Sequence, residues 1–241
     1  MSRRTFAIVA ALPLLVAAGC GKSSKKDTSK TTSTAAASTP ATTSTAAQAP
    51  SNGSGCSAAK PRNKGAQHLS KPTTLLPRDK PVTLVLQTNC GEIDIALDVK
   101  RAPRTASSVA YLVRKGFYNG LDFHRIAKLP TGGDFVIQGG DPTGTGNGGP
   151  GYSVHERPPA NLQYTRGVVA MAKTEIEPSG TSGSQFFIVT APDAKLPPDY
   201  AVAGGVVRGM DVAQYIGKLP VDGQDRPTSP VVIEKATLRT G

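Results

Sequence analysis

From Pro81 to the C-terminus every apolar run is short, and most runs are bounded by Gly, Pro or Asn. A core built from such pieces has to be assembled from many short strands joined by tight turns. Val82-Thr83-Leu84-Val85-Leu86-Gln87-Thr88 predicts one strand, and Glu92-Ile93-Asp94-Ile95-Ala96-Leu97 alternates polar and apolar residues with period two. Asn89-Cys90-Gly91 between them predicts a hairpin turn. Pro103 suits the first position of a helix, from which Val109, Leu112 and Val113 follow at helical spacing until Gly116. A second helix is expected from Met210 to Ile216, and a last strand over Val231–Ala236. Many short strands, two helices and Gly-rich turns together predict a mainly β domain, a closed β-barrel with its helices outside.

The first eighty residues follow other rules. Residues 1–20 have the form of an export signal: basic Arg3 and Arg4, an apolar stretch from Phe6 to Ala18, then small residues. That stretch is too short to span a bilayer comfortably, which takes about 20 residues. Val16-Ala17-Ala18-Gly19-Cys20 resembles a bacterial lipoprotein box, which implies lipidation of Cys20 and anchoring to the outer face of the plasma membrane in the cell envelope. Ser2-Arg3-Arg4-Thr5-Phe6 also resembles a twin-arginine motif, so either export route is open. From Gly21 to about Lys60 the chain is Ser, Thr, Ala and Lys, too poor in apolar surface to offset its chain entropy. We therefore read 21–80 as a disordered tether, its Pro- and Lys-containing end leading to a domain over 81–241.

The formal charge of +11 argues for nucleic acid only until it is divided along the chain. Ten Lys and Arg against two Asp fall in 21–80, and 81–241 is left with a net of only +1. The basic tether has no aromatic residue to stack on a base, so anionic lipid or wall polymer suits it better than nucleic acid. Cys56 and Cys90 remain once Cys20 is assigned to lipid, and a bridge between them would pin the end of the tether to the first hairpin. No cysteines stand at metal-ligand spacing, and the three histidines are scattered, so no metal site is expected. Gly144-Thr145-Gly146-Asn147-Gly148-Gly149 matches GxGxxG formally, but Pro150 and Gly151 follow it and no helix can start, so it is read as a surface loop.

Three islands carry the chemistry: Phe123-His124-Arg125-Ile126, Phe135-Val136-Ile137-Gln138-Gly139-Gly140-Asp141 and Gly183-Ser184-Gln185-Phe186-Phe187-Ile188. Each sets one polar side chain among aromatic or aliphatic neighbours on a strand, as in a groove with an apolar floor and a few fixed hydrogen-bonding groups. In this order they resemble the cyclophilin-type peptidyl-prolyl isomerases, over roughly residues 81–241. The resemblance implies an eight-stranded antiparallel barrel capped by two α-helices, a monomer, no cofactor, and X–Pro segments of unfolded or partly folded exported proteins as substrates.

Rotating an X–Pro bond means crossing a barrier of about 18–20 kcal/mol set by amide resonance. A site can lower it by binding the twisted amide better than either planar form, without proton abstraction or a covalent intermediate. Twisting returns the lone pair to the prolyl nitrogen, so a donor aimed there favours the transition state. Arg125, always charged and rich in donors, is the candidate. By resemblance Phe135, Val136, Phe187 and Leu196 line a slot for the proline ring. Gln138 and Gln185 hold substrate backbone, with Gln138 also steadying Arg125. Ala172, with the backbone near Lys173, pairs with the peptide as an added strand. Phe186 and Phe187, being adjacent, must face opposite sides of their strand, and the motif assigns Phe187 to the slot. His124 is expected to be structural.

The chain departs from the family pattern at several places. Val136 stands where Met is usual, and Tyr200 where many members have His. Lys195 occupies the place of a tryptophan, so cyclosporin-like macrocycles should bind weakly. Ala127–Asp134 makes a longer connection after the FHR motif than the family uses, beside the candidate arginine. The chain therefore reads as a lipid-anchored isomerase, with a non-enzymatic module that binds Pro-containing segments as the rival.

Overall fold

A computed structural model of the protein describes residues 55–241. The predicted signal, the lipidation site Cys20 and most of the predicted tether lie outside the described residues. The elements are β1 (Val82–Thr88), β2 (Gly91–Leu97), α1 (Pro103–Arg114), β3 (Arg125–Lys128), β4 (Asp134–Gly139), β5 (Val154–His155), β6 (Val168–Met171), β7 (Thr181–Ser182), β8 (Phe186–Val189), β9 (Val202–Arg208), α2 (Met210–Gly217) and β10 (Ile233–Thr240). Eight strands form one antiparallel sheet in the order β10-β1-β2-β9-β6-β8-β4-β3, while β5 and β7 pair separately.

Alternation along the strands sorts side chains between two apolar clusters. Leu86, Ile93, Ile95, Ile126, Ile137, Met171, Phe186 and Ile188 fill the concave interior with residues of both helices. A smaller cluster on the outer face gathers Ala127, Phe135, Val136, Tyr164, Ala170, Phe187 and Val189. Helix α1 begins at Pro103 with no side-chain cap of its own. The Glu156 carboxylate serves instead, accepting the amides of Arg104 (3.2 Å) and Thr105 (2.8 Å).

Two expectations need correcting. The sheet curls into a half-barrel rather than a closed barrel, because β3 and β10 do not pair with each other. A short bridged stretch crosses the gap instead: Asp122 pairs with Val232, flanked by bonds from Gly120 N–H to Ile233 O (2.7 Å), Ile233 N–H to Leu121 O (2.8 Å) and Phe123 N–H to Val231 O (2.8 Å), with a separate bond from Ile126 N–H to Asp225 O (2.8 Å). Pro227 and Pro230 stand in the crossing segment and cannot donate to a ladder. The last strand starts at Ile233, not Val231, because the Val232 amide donates to Asn89 Oδ1 (2.8 Å) instead of a strand partner, and it runs on to Thr240, beyond the expected Ala236.

The second correction concerns the domain boundary, since residues 55–80 lie along the domain rather than forming a free tether. Cys56 and Cys90 are joined by a disulfide, with their Cα atoms 4.1 Å apart. Beyond it, Arg62 N–H reaches Gly120 O (2.7 Å), Lys64 N–H reaches Pro142 O (2.8 Å) and Leu69 N–H reaches Pro150 O (2.8 Å). The Lys64 ammonium binds the Gly116 and Phe117 carbonyls beyond the end of α1, and Leu76 is buried on Ser107. Gly151 must be glycine here, because a Cβ would sit 2.6 Å from Gln67 O. These contacts, a disulfide, backbone bonds and the Lys64 ammonium, hold a segment that carries no periodic apolar pattern to read.

Candidate active site

Strand register assembles the site. Arg125 on β3 is opposite Gln138 on β4, Gln138 is opposite Phe187 on β8, and Phe187 is opposite Ala170 on β6. Directly opposed residues of antiparallel strands share a face. The guanidinium, the amide and the aromatic ring therefore form one row on the outer face. The next row, Ala127, Val136 and Val189, makes the apolar floor beside it. Phe186 turns inward, edge-on to Tyr118 and Phe123. Phe187 turns outward, against Tyr164 and Tyr200.

The polar residues form a chain. The Arg125 Nη1 points at Gln138 Oε1 (3.5 Å), Gln138 Nε2 donates to Gln185 Oε1 (3.1 Å), and Gln185 Nε2 donates to the carbonyls of Gly146 (3.0 Å) and Gly148 (2.9 Å). The glycine-rich loop thus serves as the end support of the chain. Its shape comes from buried Asp141, which accepts the Thr143 amide and hydroxyl and the Gly146 amide. Burial works to raise the Asp141 pKa, but hydrogen bonds from Thr143, Gly148 and Gly146 outweigh it and hold the carboxyl below its ordinary range. Gly140, at φ +89°, lets the strand turn away where a Cβ would lie 2.5 Å from Ser184 O.

Around the floor, Leu196, Ala172, Tyr200 and Leu129 are partly buried against the outer cluster. Tyr200 stacks edge-on over Phe187 with centroids 5.4 Å apart, and Tyr164 ties it down by donating to Tyr200 O (2.6 Å) and accepting its amide (2.9 Å). Burial, then Asp199 and Glu175, raise the Tyr200 pKa, so the ring stays a neutral phenol. Ala172 already donates its amide to Gln185 O (2.9 Å). The Lys173 side chain is buried and turned to Asp199 (2.6 Å), Thr174 O and Glu177 O. Only the backbone near Lys173 can meet a ligand. Lys195, at φ +53°, points into solvent and pairs with Asp193, so no aromatic ring covers this edge of the floor.

The long connection after β3 folds as a turn. Leu129 N–H donates to Gly133 O, Gly132 N–H donates back to Leu129 O, and Lys128 binds Asp134 and the Gly217 carbonyl at the end of α2. His124 is buried, and neither ring nitrogen has a hydrogen-bond partner among the described residues. Burial lowers its pKa to about 4, which makes it a neutral packing group.

Sequence reasoning missed Asp225, whose carboxylate grips Arg125 at 3.2 Å through both Nε and Nη2. A hundred residues separate the pair, and only turn-forming residues surround Asp225, so no local signal marks it. Tyr164 was missed for the same reason.

The family model described as cyclophilin type peptidyl-prolyl cis-trans isomerase/CLD matches residues 83–238. Peptidyl-prolyl cis-trans isomerase-like 1 of Homo sapiens is 40% identical over 161 residues, 65% of this chain and 92% of the relative. Peptidyl-prolyl cis-trans isomerase A of Mycobacterium tuberculosis is 38% identical over 174 residues, 65% of this chain and 91% of the relative. Among solved structures, a Cryptosporidium parvum cyclophilin type peptidyl-prolyl cis-trans isomerase crystallised in the presence of the dipeptide Ala-Pro superposes with a TM-score of 0.59 at 29% identity. It covers 66% of this chain and 99% of its own.

Proposed function

The chain belongs to the cyclophilin-type peptidyl-prolyl cis-trans isomerases, and we propose that Arg125 is its catalytic residue, acting on X–Pro bonds of exported proteins from a lipid anchor at Cys20. The single observation that carries the catalytic assignment is the row Arg125, Gln138, Phe187, which sets fixed guanidinium donors beside an apolar floor on one face. A proline ring resting on Phe135, Val136, Phe187 and Leu196 brings its nitrogen toward Arg125. There the pyramidal nitrogen of the twisted amide accepts a hydrogen bond that the planar amide cannot. Gln138 and Gln185 orient the substrate backbone, the Ala172 carbonyl and the backbone near Lys173 extend it as a strand, and Tyr200 closes the far side. The Ala-Pro dipeptide used with the related structure supports an X–Pro ligand. The signal-like leader and lipoprotein-like box support action in the cell envelope, where slow X–Pro isomerisation, at tens to hundreds of seconds, limits folding.

The test is cis-to-trans conversion of an Ala-Pro-Phe peptide by the wild type and Arg125→Ala. Acceleration that falls about tenfold or more in the variant, at least ~1.4 kcal/mol of transition-state stabilisation, is expected. A variant as fast as the wild type would remove Arg125 from the mechanism. A wild type that binds the peptide without turning it over would leave a Pro-binding module. Labelling of Cys20 by a radioactive fatty acid in a bacterial host tests the anchor, and absence of label would refute it.

A further inference from the structure

We propose that Asp225 is a positioning residue for catalysis, setting the direction of the Arg125 guanidinium; the proposal rests on the assignment of Arg125 above. A single oxygen, Asp225 Oδ2, binds both Nε and Nη2 of Arg125 at 3.2 Å. Two contacts on one edge fix the plane of the fork and leave Nη1 directed at Gln138 and the cleft. Gln138 alone, at 3.5 Å from Nη1, holds the arginine only loosely.

The turn carrying Asp225 is built rather than incidental. Asp222 Oδ1 accepts the amides of Gln224 (2.8 Å) and Arg226 (3.0 Å), and Asp222 N–H returns to Arg226 O (2.9 Å). Asp225 O accepts the Ile126 amide, which fastens the turn to β3 one residue beyond Arg125. On the other side the Arg226 Nη2 donates to Gly144 O (2.8 Å), in the same loop that receives Gln185. The turn therefore braces both ends of the polar chain. Asp225 itself sits at φ +62°, a conformation glycine takes at less cost. Its carboxylate is 41% exposed, and an ion pair at that exposure adds little to stability. A strained backbone that holds a weakly stabilising charge against the reactive side chain points to orientation as its role.

The purified chain is compared with Asp225→Asn, Asp225→Gly and Arg125→Ala for kcat and KM on the Ala-Pro-Phe peptide. In parallel, the Arg125 Nε–Hε signal is followed by NMR. Asn keeps the side-chain shape and tolerates positive φ, while Gly relieves any backbone strain, so one of the two folds even if the other does not. The expected result is a fall in kcat of about tenfold with KM within about twofold, and an Arg125 Nε–Hε signal that shifts and exchanges faster with solvent. Unchanged kcat in both Asp225 variants, while Arg125→Ala is inactive, overturns this proposal and leaves the Arg125 assignment standing. Lost kcat with an unmoved Arg125 signal overturns it as well, since the effect then runs through another group. Full activity of Arg125→Ala removes both assignments together.

Discussion

His124 and Arg125 are neighbours in sequence with opposite fates, because strand alternation turns one into the interior and the other onto the outer face. Burial lowers the His124 pKa from its ordinary 6.5 to about 4. Between those values the unfolded chain binds a proton that the folded chain excludes, so stability present above pH 6.5 declines as the pH falls toward 4. This single group accounts for up to about 3 kcal/mol of that decline. Thermal unfolding from pH 7 to 4 should therefore cost the wild type more than His124→Asn, which lacks the titrating ring. Equal losses in the two proteins would assign the acid sensitivity to carboxylates instead. At the same scale, the candidate residues that strand register sets in one row, Arg125, Gln138 and Phe187, each lie in a compact sequence motif. Asp225 does not, and nothing near it records that it meets Arg125.

The elements divide according to how local their causes are. β1 matches the range expected from its apolar run, and its partner strand and both helix starts also fall close to expectation, because alternation, a two-residue turn and Pro103 are local signals. The segment over 55–80 carries no such signal, and it is ordered by a disulfide and by backbone bonds to four distant parts of the domain. Its disulfide spans 34 positions, a loop for which chain entropy predicts a contribution of roughly 3–4 kcal/mol. Urea unfolding of the Cys56→Ser, Cys90→Ser double variant should show a midpoint lowered accordingly. An unchanged midpoint would mean that the hydrogen bonds of the segment hold it without the covalent link. The segment 127–134, read in the sequence as one long connection, is shorter in the fold: Ala127 and Lys128 extend β3, Asp134 opens β4, and only 129–133 turn between them, a pairing set by the β3–β4 register and by the Lys128 contact with the end of α2.

For the molecule as a whole, the open edge between β3 and β10 matters most. One isolated bridge, Asp122 with Val232, and a few backbone bonds cross it, whereas β1 is flanked by long ladders to β2 and β10. An amide with no ladder on either side opens by local fluctuation at lower cost than one inside a ladder. Hydrogen exchange should therefore reach Phe123, which lies outside every ladder, before Leu86, which has one on each side, and equal protection would show that the seam is as cooperative as the rest of the sheet. While β5, β6, β7 and β9 left no signal in it, the sequence by itself determined the class of the fold, the first hairpin, both helices, the motif strands and the family. Those depend on period-two alternation, turn chemistry and motifs read within a few residues of one another. Only the tertiary structure decided where the sheet stays open, where the ordered chain begins and what orients Arg125. Each of these depends on groups far apart in the chain, brought together by register and by the packing of irregular segments that have no period to read.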